Sequence, residues 1–352
     1  HRITGIIIQF ADRRVLRTGA GTQKASERTN AMIHIKQDGT GDFTSVQAAL
    51  DSLPADNQEP VTLFIHKGIY REQIHVTVPY VSFTGESAEE TILTYGLYAR
   101  MPSDDIGKLG TFRTYSCFID THDFTASNLT FENSAGPGTK VGQALALYVD
   151  GDRIAFHDCR FLGNQDTLFT APLPPKEIEP NGFVGPKQSA PRINGRHFYQ
   201  RCYIEGDIDF IFGGATAYFE DCEFFSKYTG QPISSYVTAA STPEGQEYGY
   251  VCQSCLFTSN CPPHSAYLGR PWREYAKVVL LNCQMEHHIC PEGWNDWGKE
   301  SAHDTVFFAE YKSYGPGAAM QSRPDWCHVL DEREAKHFAK ELVLGGNDGW
   351  NP

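Results

Sequence analysis

The segments DCRFLGNQDTLF (158–169) and RCYIEGDIDFIF (201–212) share one register: Cys159 and Cys202 are each followed seven residues later by an aspartate, Asp166 and Asp209. The opening phrase recurs outward along the chain as NLTF (128–131), DCRF (158–161), RCYI (201–204), DCEF (221–224), SCLF (254–257) and NCQM (282–285), at intervals of 20 to 43 residues. Alternation of apolar and polar residues marks strands, and its return at uneven intervals marks a solenoid whose coils differ in loop length. A propeller or helical repeat would keep a tighter period. The pattern therefore predicts an all-β chain, a right-handed parallel β-helix in which stacked coils bury a continuous core. If 158–169 and 201–212 are successive rungs, the carboxylates of Asp166 and Asp209 share a face about one strand spacing, ~4.8 Å, apart. At that distance two carboxylates cannot both ionise freely, so one is pushed toward an acid role and the other toward a base or nucleophile role.

A chain of 352 residues with 32 Gly, 20 Pro and 40% hydrophobic residues has material for one large core and many turns. Residues 1–31 are polar and lack periodicity, which predicts a flexible arm or leader. A single catalytic domain is expected over 32–345, with a C-terminal tail at 346–352. In FTSVQAALDSLP, Val46, Ala49, Leu50 and Leu53 fall at helical spacing, predicting a helix that caps the open end of the solenoid. DEREAKHFAKELVL is expected to form a second helix outside the coils, with Ala335, Phe338, Ala339 and Leu342 on one side. Between the two aspartates, 171–193 is rich in Pro and Gly and must leave the solenoid as a loop beside the active face. As a lip of a polymer groove it would lower the Michaelis constant for polymer; as a wall narrowing the cleft it would favour a small substrate.

The formal charge of −13 disfavours nucleic acid and anionic membrane surfaces as partners. GIIIQF (5–10) is too short for a membrane span and lacks the flanks of a signal peptide. Cys159, Cys202, Cys222, Cys255 and Cys283 occupy one inward slot of the repeat and are expected to be buried free thiols. Cys252 and Cys255 spell C-x-x-C, yet they are expected on opposite faces of a strand with no second pair at zinc spacing. His287, His288 and Cys290 read as a turn between strands rather than as metal ligands.

GQALALYVDGDR, GNQDTLF, YIEGDIDFIFGGA and YLGRPWREYAKVVLLN together resemble the signature set of the pectin methylesterases, carbohydrate esterases built on a right-handed parallel β-helix. DGTGDFTSVQAALDSLP, HKGIYREQI, NLTFENSAG, TAAST and PEGWNDWG extend the likeness from about Met32 to Gly317, in the family's order. The chain departs from the family in carrying Asp207 where Thr is common, Phe169 where Tyr is common, and a long connection between the two aspartates. Carried over residue by residue, the resemblance implies Asp209 as nucleophile, Asp166 as general acid and then base, Gln143 and Gln165 as oxyanion donors, and Arg270 as the group that orients Asp209. It also implies methylated pectin (homogalacturonan) as substrate, no cofactor or metal, a secreted or periplasmic location, and a monomer.

The chemistry of the residue types is coherent with the roles that the resemblance implies. Arg270 within hydrogen-bond range would lower the pKa of Asp209, leaving Asp166 beside a negative neighbour with a raised pKa. Trp272, Phe212, Phe169 and Trp297, whose aromatic faces can stack on sugar rings, are candidate substrate-contacting residues, and Thr139 is a further one. A serine esterase is disfavoured by the absence of a G-x-S-x-G elbow. A lyase would need a calcium-binding carboxylate cluster. A glycoside hydrolase also uses two carboxylates about 5 Å apart, so spacing alone leaves it open, but two glutamines and an arginine suit an ester better. An acyl-thioester hydrolase on the same fold is the alternative activity, and a polysaccharide-binding solenoid the non-enzymatic one.

Overall fold

Each rung of the chain turns through three short parallel strands, and the rungs stack into three sheets of 11, 8 and 7 strands. We call these sheets A, B and C. The computed structural model describes residues 30–352. Its first strand is Ala31–Ile35, and of the arm expected at 1–31, residues 1–29 lie outside the described residues. The three sheets enclose the core of a right-handed parallel β-helix, the hand that parallel crossovers take.

The recurring phrase is the corner between sheets A and B. Asn128, Asp158, Arg201, Asp221, Ser254 and Asn282 all have positive φ, between 53° and 59° except Arg201 at 50°. That left-handed residue swings the chain through a sharp bend, and the next side chain, Leu129 or one of the five cysteines, drops into the core. All five of those cysteines are free and buried. Burial lifts the Cys159, Cys202, Cys222 and Cys255 thiols well above the usual range, so they serve as small apolar fillers. The same bend corrects the reading of C-x-x-C. The strand Tyr250–Gln253 ends before Ser254, and the turn there points both Cys252 and Cys255 inward rather than to opposite faces.

Register pairing stacks like on like through the core. Phe156 pairs with Tyr199 and Tyr199 with Phe219, their rings 5.1 and 4.6 Å apart and nearly parallel. The capping helix forms at Val46–Asp51, where the Ser45 hydroxyl accepts from the Ala48 amide and Val46, Ala49 and Leu50 are buried against the first rungs. The expected C-terminal helix is broken. Glu332–Ala335 runs into a 3-10 turn, Lys336–Phe338, and Ala339 is extended at ψ 143° before a second helix, Lys340–Gly345. The break rotates the second helix, so Val343 and Leu344 dock on the outer face of sheet A beside Phe198 and Tyr218 while Leu342 is left 55% exposed. The tail beyond it is held: the Arg196 guanidinium grips Asp348 and lies over the Trp350 ring.

Candidate active site

The two aspartates of the opening motif sit just ahead of neighbouring strands of sheet C, Leu168–Thr170 and Ile211–Gly213. Leu168 pairs with Ile211, so Asp166 and Asp209, each two residues earlier, occupy the same register on adjacent rungs. The Asp166 amide donates to the Ile208 carbonyl at 3.1 Å and locks that register. Both aspartates have positive φ, 62° and 51°, a conformation Asp tolerates better than most residues. Both are buried and line one cavity of about 350 Å3, at the low end of the ~300–1,000 Å3 usual for ligand sites.

Arg270 follows the next-but-one strand of sheet C, Ala266–Gly269, and reaches back to Asp209. Its Nε donates to one carboxylate oxygen at 2.8 Å and its Nη2 to the other at 2.7 Å. The guanidinium is clamped between the Trp297 and Tyr236 rings, 3.5 and 3.9 Å from their centroids. A planar group held between two faces cannot swing away from the carboxylate. Burial nevertheless outweighs Arg270: it raises the Asp209 pKa above the usual carboxylate value, with the Arg270 fork pulling the other way. The sequence argument expected a lowered value, because it could not weigh burial. Asp166 is pushed much higher, first by burial and then by the Asp209 charge, and it lacks a fork of its own. Asp166 is thus pushed up further than Asp209, the order the sequence argument expected of the two pKa values. Asp207, also buried and raised by desolvation, adds to the pressure on Asp166.

Gln143 and Gln165 both line the cavity, on the rung below and beside Asp166. The backbone packs tightly around Gln165: a Cβ at Gly138 would stand 2.6 Å from the Gln165 Cβ, so only glycine fits there. Of the aromatic candidates, Trp272, Phe212 and Trp297 line the cavity. Phe169 is fully buried beneath it, 4.8 Å from Phe212, and packs rather than forming a wall. Thr139 is exposed on the short helix Gly138–Val141 and is not among the lining residues. Among the described residues no cluster of three or more His, Cys, Asp or Glu has the geometry to hold a metal ion, and His288 is buried in a turn with its pKa lowered by burial to about 4.

Sequence reasoning missed several walls. Phe112 comes from GKLGTFRTYS, a stretch without periodicity, and stacks 6.5 Å from Trp272. Arg273 forms another, while residues 177–183 of the long loop form the wall expected of it beside the cleft. Arg273 carried a signal, its place directly after GRPW, whereas Phe112 carried none.

A carboxylate forked by arginine, next to a carboxyl whose pKa is pushed well up, is an arrangement suited to acyl transfer from an ester. On a parallel β-helix, that makes the protein a carboxylic ester hydrolase of the carbohydrate esterase class. Comparison with known proteins narrows the class. The sequence profile of the Pectinesterase family matches residues 32–173 and 191–347, leaving 174–190 as an insertion. Pectinesterase 31 of Arabidopsis thaliana is 38% identical over 318 residues, covering 88% of this chain and 91% of that one. The fold is similar to that of pectin methylesterase from carrot (TM-score 0.76, 29% identity, 92% and 95% of the two chains). It is also similar to a pectin methylesterase in complex with a hexasaccharide (TM-score 0.72, 28% identity, 93% and 100%). The chain belongs to the pectinesterase family.

Proposed function

We propose that the protein hydrolyses the C6 methyl esters of homogalacturonan through an acyl-enzyme on Asp209. The observation that carries this reading is the bidentate Arg270–Asp209 fork one rung from Asp166, whose pKa burial and the Asp209 charge push well up, all facing one cavity. Asp209 attacks the ester carbonyl and forms a tetrahedral intermediate whose oxyanion the Gln143 and Gln165 amides stabilise. Collapse of the intermediate breaks the C–OCH3 bond, and Asp166 gives its proton to the departing oxygen, releasing methanol. Asp166, now a carboxylate, takes a proton from water, which attacks the anhydride and frees Asp209. Trp272, Phe212 and Trp297 supply apolar walls for the sugar rings. Each step uses side chains alone.

Methanol release from methylated pectin, followed with and without excess chelator, tests the reading. Equal release in both arms is expected, and loss on chelation would remove the metal-free mechanism. A rate on an acyl-thioester exceeding that on pectin would replace the substrate class. The protein is further proposed to act outside the cell, as a monomer, without binding nucleic acid or membrane. Among the described residues no helix is long and apolar enough to cross a membrane.

A further inference from the structure

The insertion 174–190 lies outside the family match, yet it is tied to both sides of the cavity. It leaves the C-terminal end of the sheet C strand Leu168–Thr170, and the Lys176 carbonyl accepts from Arg273 Nη2 at 3.0 Å, beside Trp272. From there it crosses the outer face of the sheet. The Phe183 ring is buried 5.9 Å from Phe112 and 6.3 Å from Trp272. Gly185 lies against the Phe112 backbone so closely that a Cβ would stand 3.0 Å from the Phe112 carbonyl oxygen. Phe112 belongs to the segment that leads into the opposite, N-terminal end of the strand Cys117–Asp120. The chain then returns, and Lys187 Nζ sits 2.5 Å from Asp120 and 3.5 Å from Asp150, the last residues of the two preceding sheet C strands.

Sheet C lies between loops that enter its strands and loops that leave them, so a groove for a polymer would run from rung to rung between these two banks. The insertion joins the two banks, and it does so on the side of the earlier rungs, where the outward rings of Phe118 and Tyr148 are fully buried. On the side of the later rungs the outer face is less covered: Tyr236 and Tyr267, stacked 5.6 Å apart within 12° of parallel, are only half-buried even with Arg270 over the Tyr236 ring. A polymer cannot thread past a covalent bridge. We infer that the 174–190 insertion closes one end of the substrate groove, so that a methylated galacturonan chain enters from the Tyr236–Tyr267 side and is de-esterified only near one of its termini.

The inference rests on the pectin reading above, and the test separates the two. Fully methylated oligogalacturonides of defined length are treated to partial conversion, and the freed carboxylates are located by tandem mass spectrometry. Free acids confined to the first few residues from one end are expected. Free acids spread through internal positions would overturn the closure while leaving the esterase intact; no methanol from any methylated galacturonide would overturn the esterase itself. Replacing 174–190 by a short Gly-Ser turn should spread the free acids inward and lower the Michaelis constant for long pectin several-fold. Should that variant fail to fold, the double variant Phe183→Ala and Lys187→Ala, which keeps the chain length and unpins the bridge, is expected to shift the pattern in the same direction. An unchanged end-confined pattern in the undocked variant would show that another wall limits the groove.

Discussion

On the two rungs that carry the acid pair, two kinds of corner alternate, and both are made by a residue in the left-handed region. At the corner between sheets A and B, Asp158 and Arg201 bend the chain so that the following residue, Cys159 or Cys202, points into the core. At the corner entering sheet C, Asp166 and Asp209 are themselves the left-handed residues, and their carboxyls face the cavity on the outside. One backbone device, repeated with the same period, thus builds a filler ladder inside and an acid pair outside. The inner ladder gains from being uniform: neighbouring thiols and rings stack alike. In the proposed reaction the outer pair functions only because its members differ, and the difference is imposed from elsewhere, by Arg270 on one rung and not on the other. Repetition sets the register; asymmetry between rungs sets the chemistry.

The strongest way to break the outer corner is Asp209→Asn, which keeps size and hydrogen-bonding capacity. The fold should survive, judged by circular dichroism, while turnover on methylated pectin falls about 10⁴-fold or more, the scale seen when a covalent catalyst is removed. Retention of a tenth of wild-type turnover would end the covalent proposal. Asp166→Asn should cost about 10² to 10⁴ on methyl esters. Its signature lies in the leaving group: an activated ester whose alcohol leaves without protonation should recover much of the rate of acylation. Equal losses on both esters would mean Asp166 acts in some other way.

Arg270→Lys tests what separates the two acids, with an expected loss of roughly 10²-fold. Because activity needs Asp209 ionised, the acid limb of the pH profile reports its pKa, which burial raises and the Arg270 fork restrains. Lysine offers a point charge in place of a two-pronged plane, so the Asp209 pKa should rise further and the acid limb should move to higher pH. The alkaline limb reports Asp166 losing its proton, and in Asp166→Asn that limb should vanish. An acid limb that stays in place in Arg270→Lys would assign it to another group.

The inner corners were legible in the sequence because they repeat. Cys159, Cys202, Cys222, Cys255 and Cys283 share a phrase, and a phrase that recurs at matching register can be read without knowing a single contact. The aspartate pair was legible for the same reason. What did not repeat could not be read. Phe112 and Phe183 come from unique excursions whose positions depend on packing between distant segments. The break at Ala339 depends on where Phe198 and Tyr218 lie on sheet A, and the bend at Ser254 on a left-handed residue that its type alone does not announce. The net rise at Asp209 required knowing how deeply the fork is buried.

The smallest expected effect sharpens the comparison from the inner side. Cys222 fills the same slot as Cys202 and Cys255, is fully buried, and its thiol donates a hydrogen bond to the Tyr199 carbonyl at 3.3 Å. Cys222→Ala deletes one buried sulfur and leaves a small void that neighbouring rings cannot fully close, at a cost of roughly 1–3 kcal/mol. Urea unfolding should show that loss as a lower midpoint with an unchanged slope. Turnover on methylated pectin should stay at the wild-type level, because Cys222 follows Asp221 on the rung after Asp209 and faces away from the cavity. A drop in turnover with the stability intact would mean that the inner ladder sets the position of the outer acids. The two corners would then be coupled through the short strand Tyr203–Gly206 and its pairing with Glu223–Ser226 rather than independent uses of one bend.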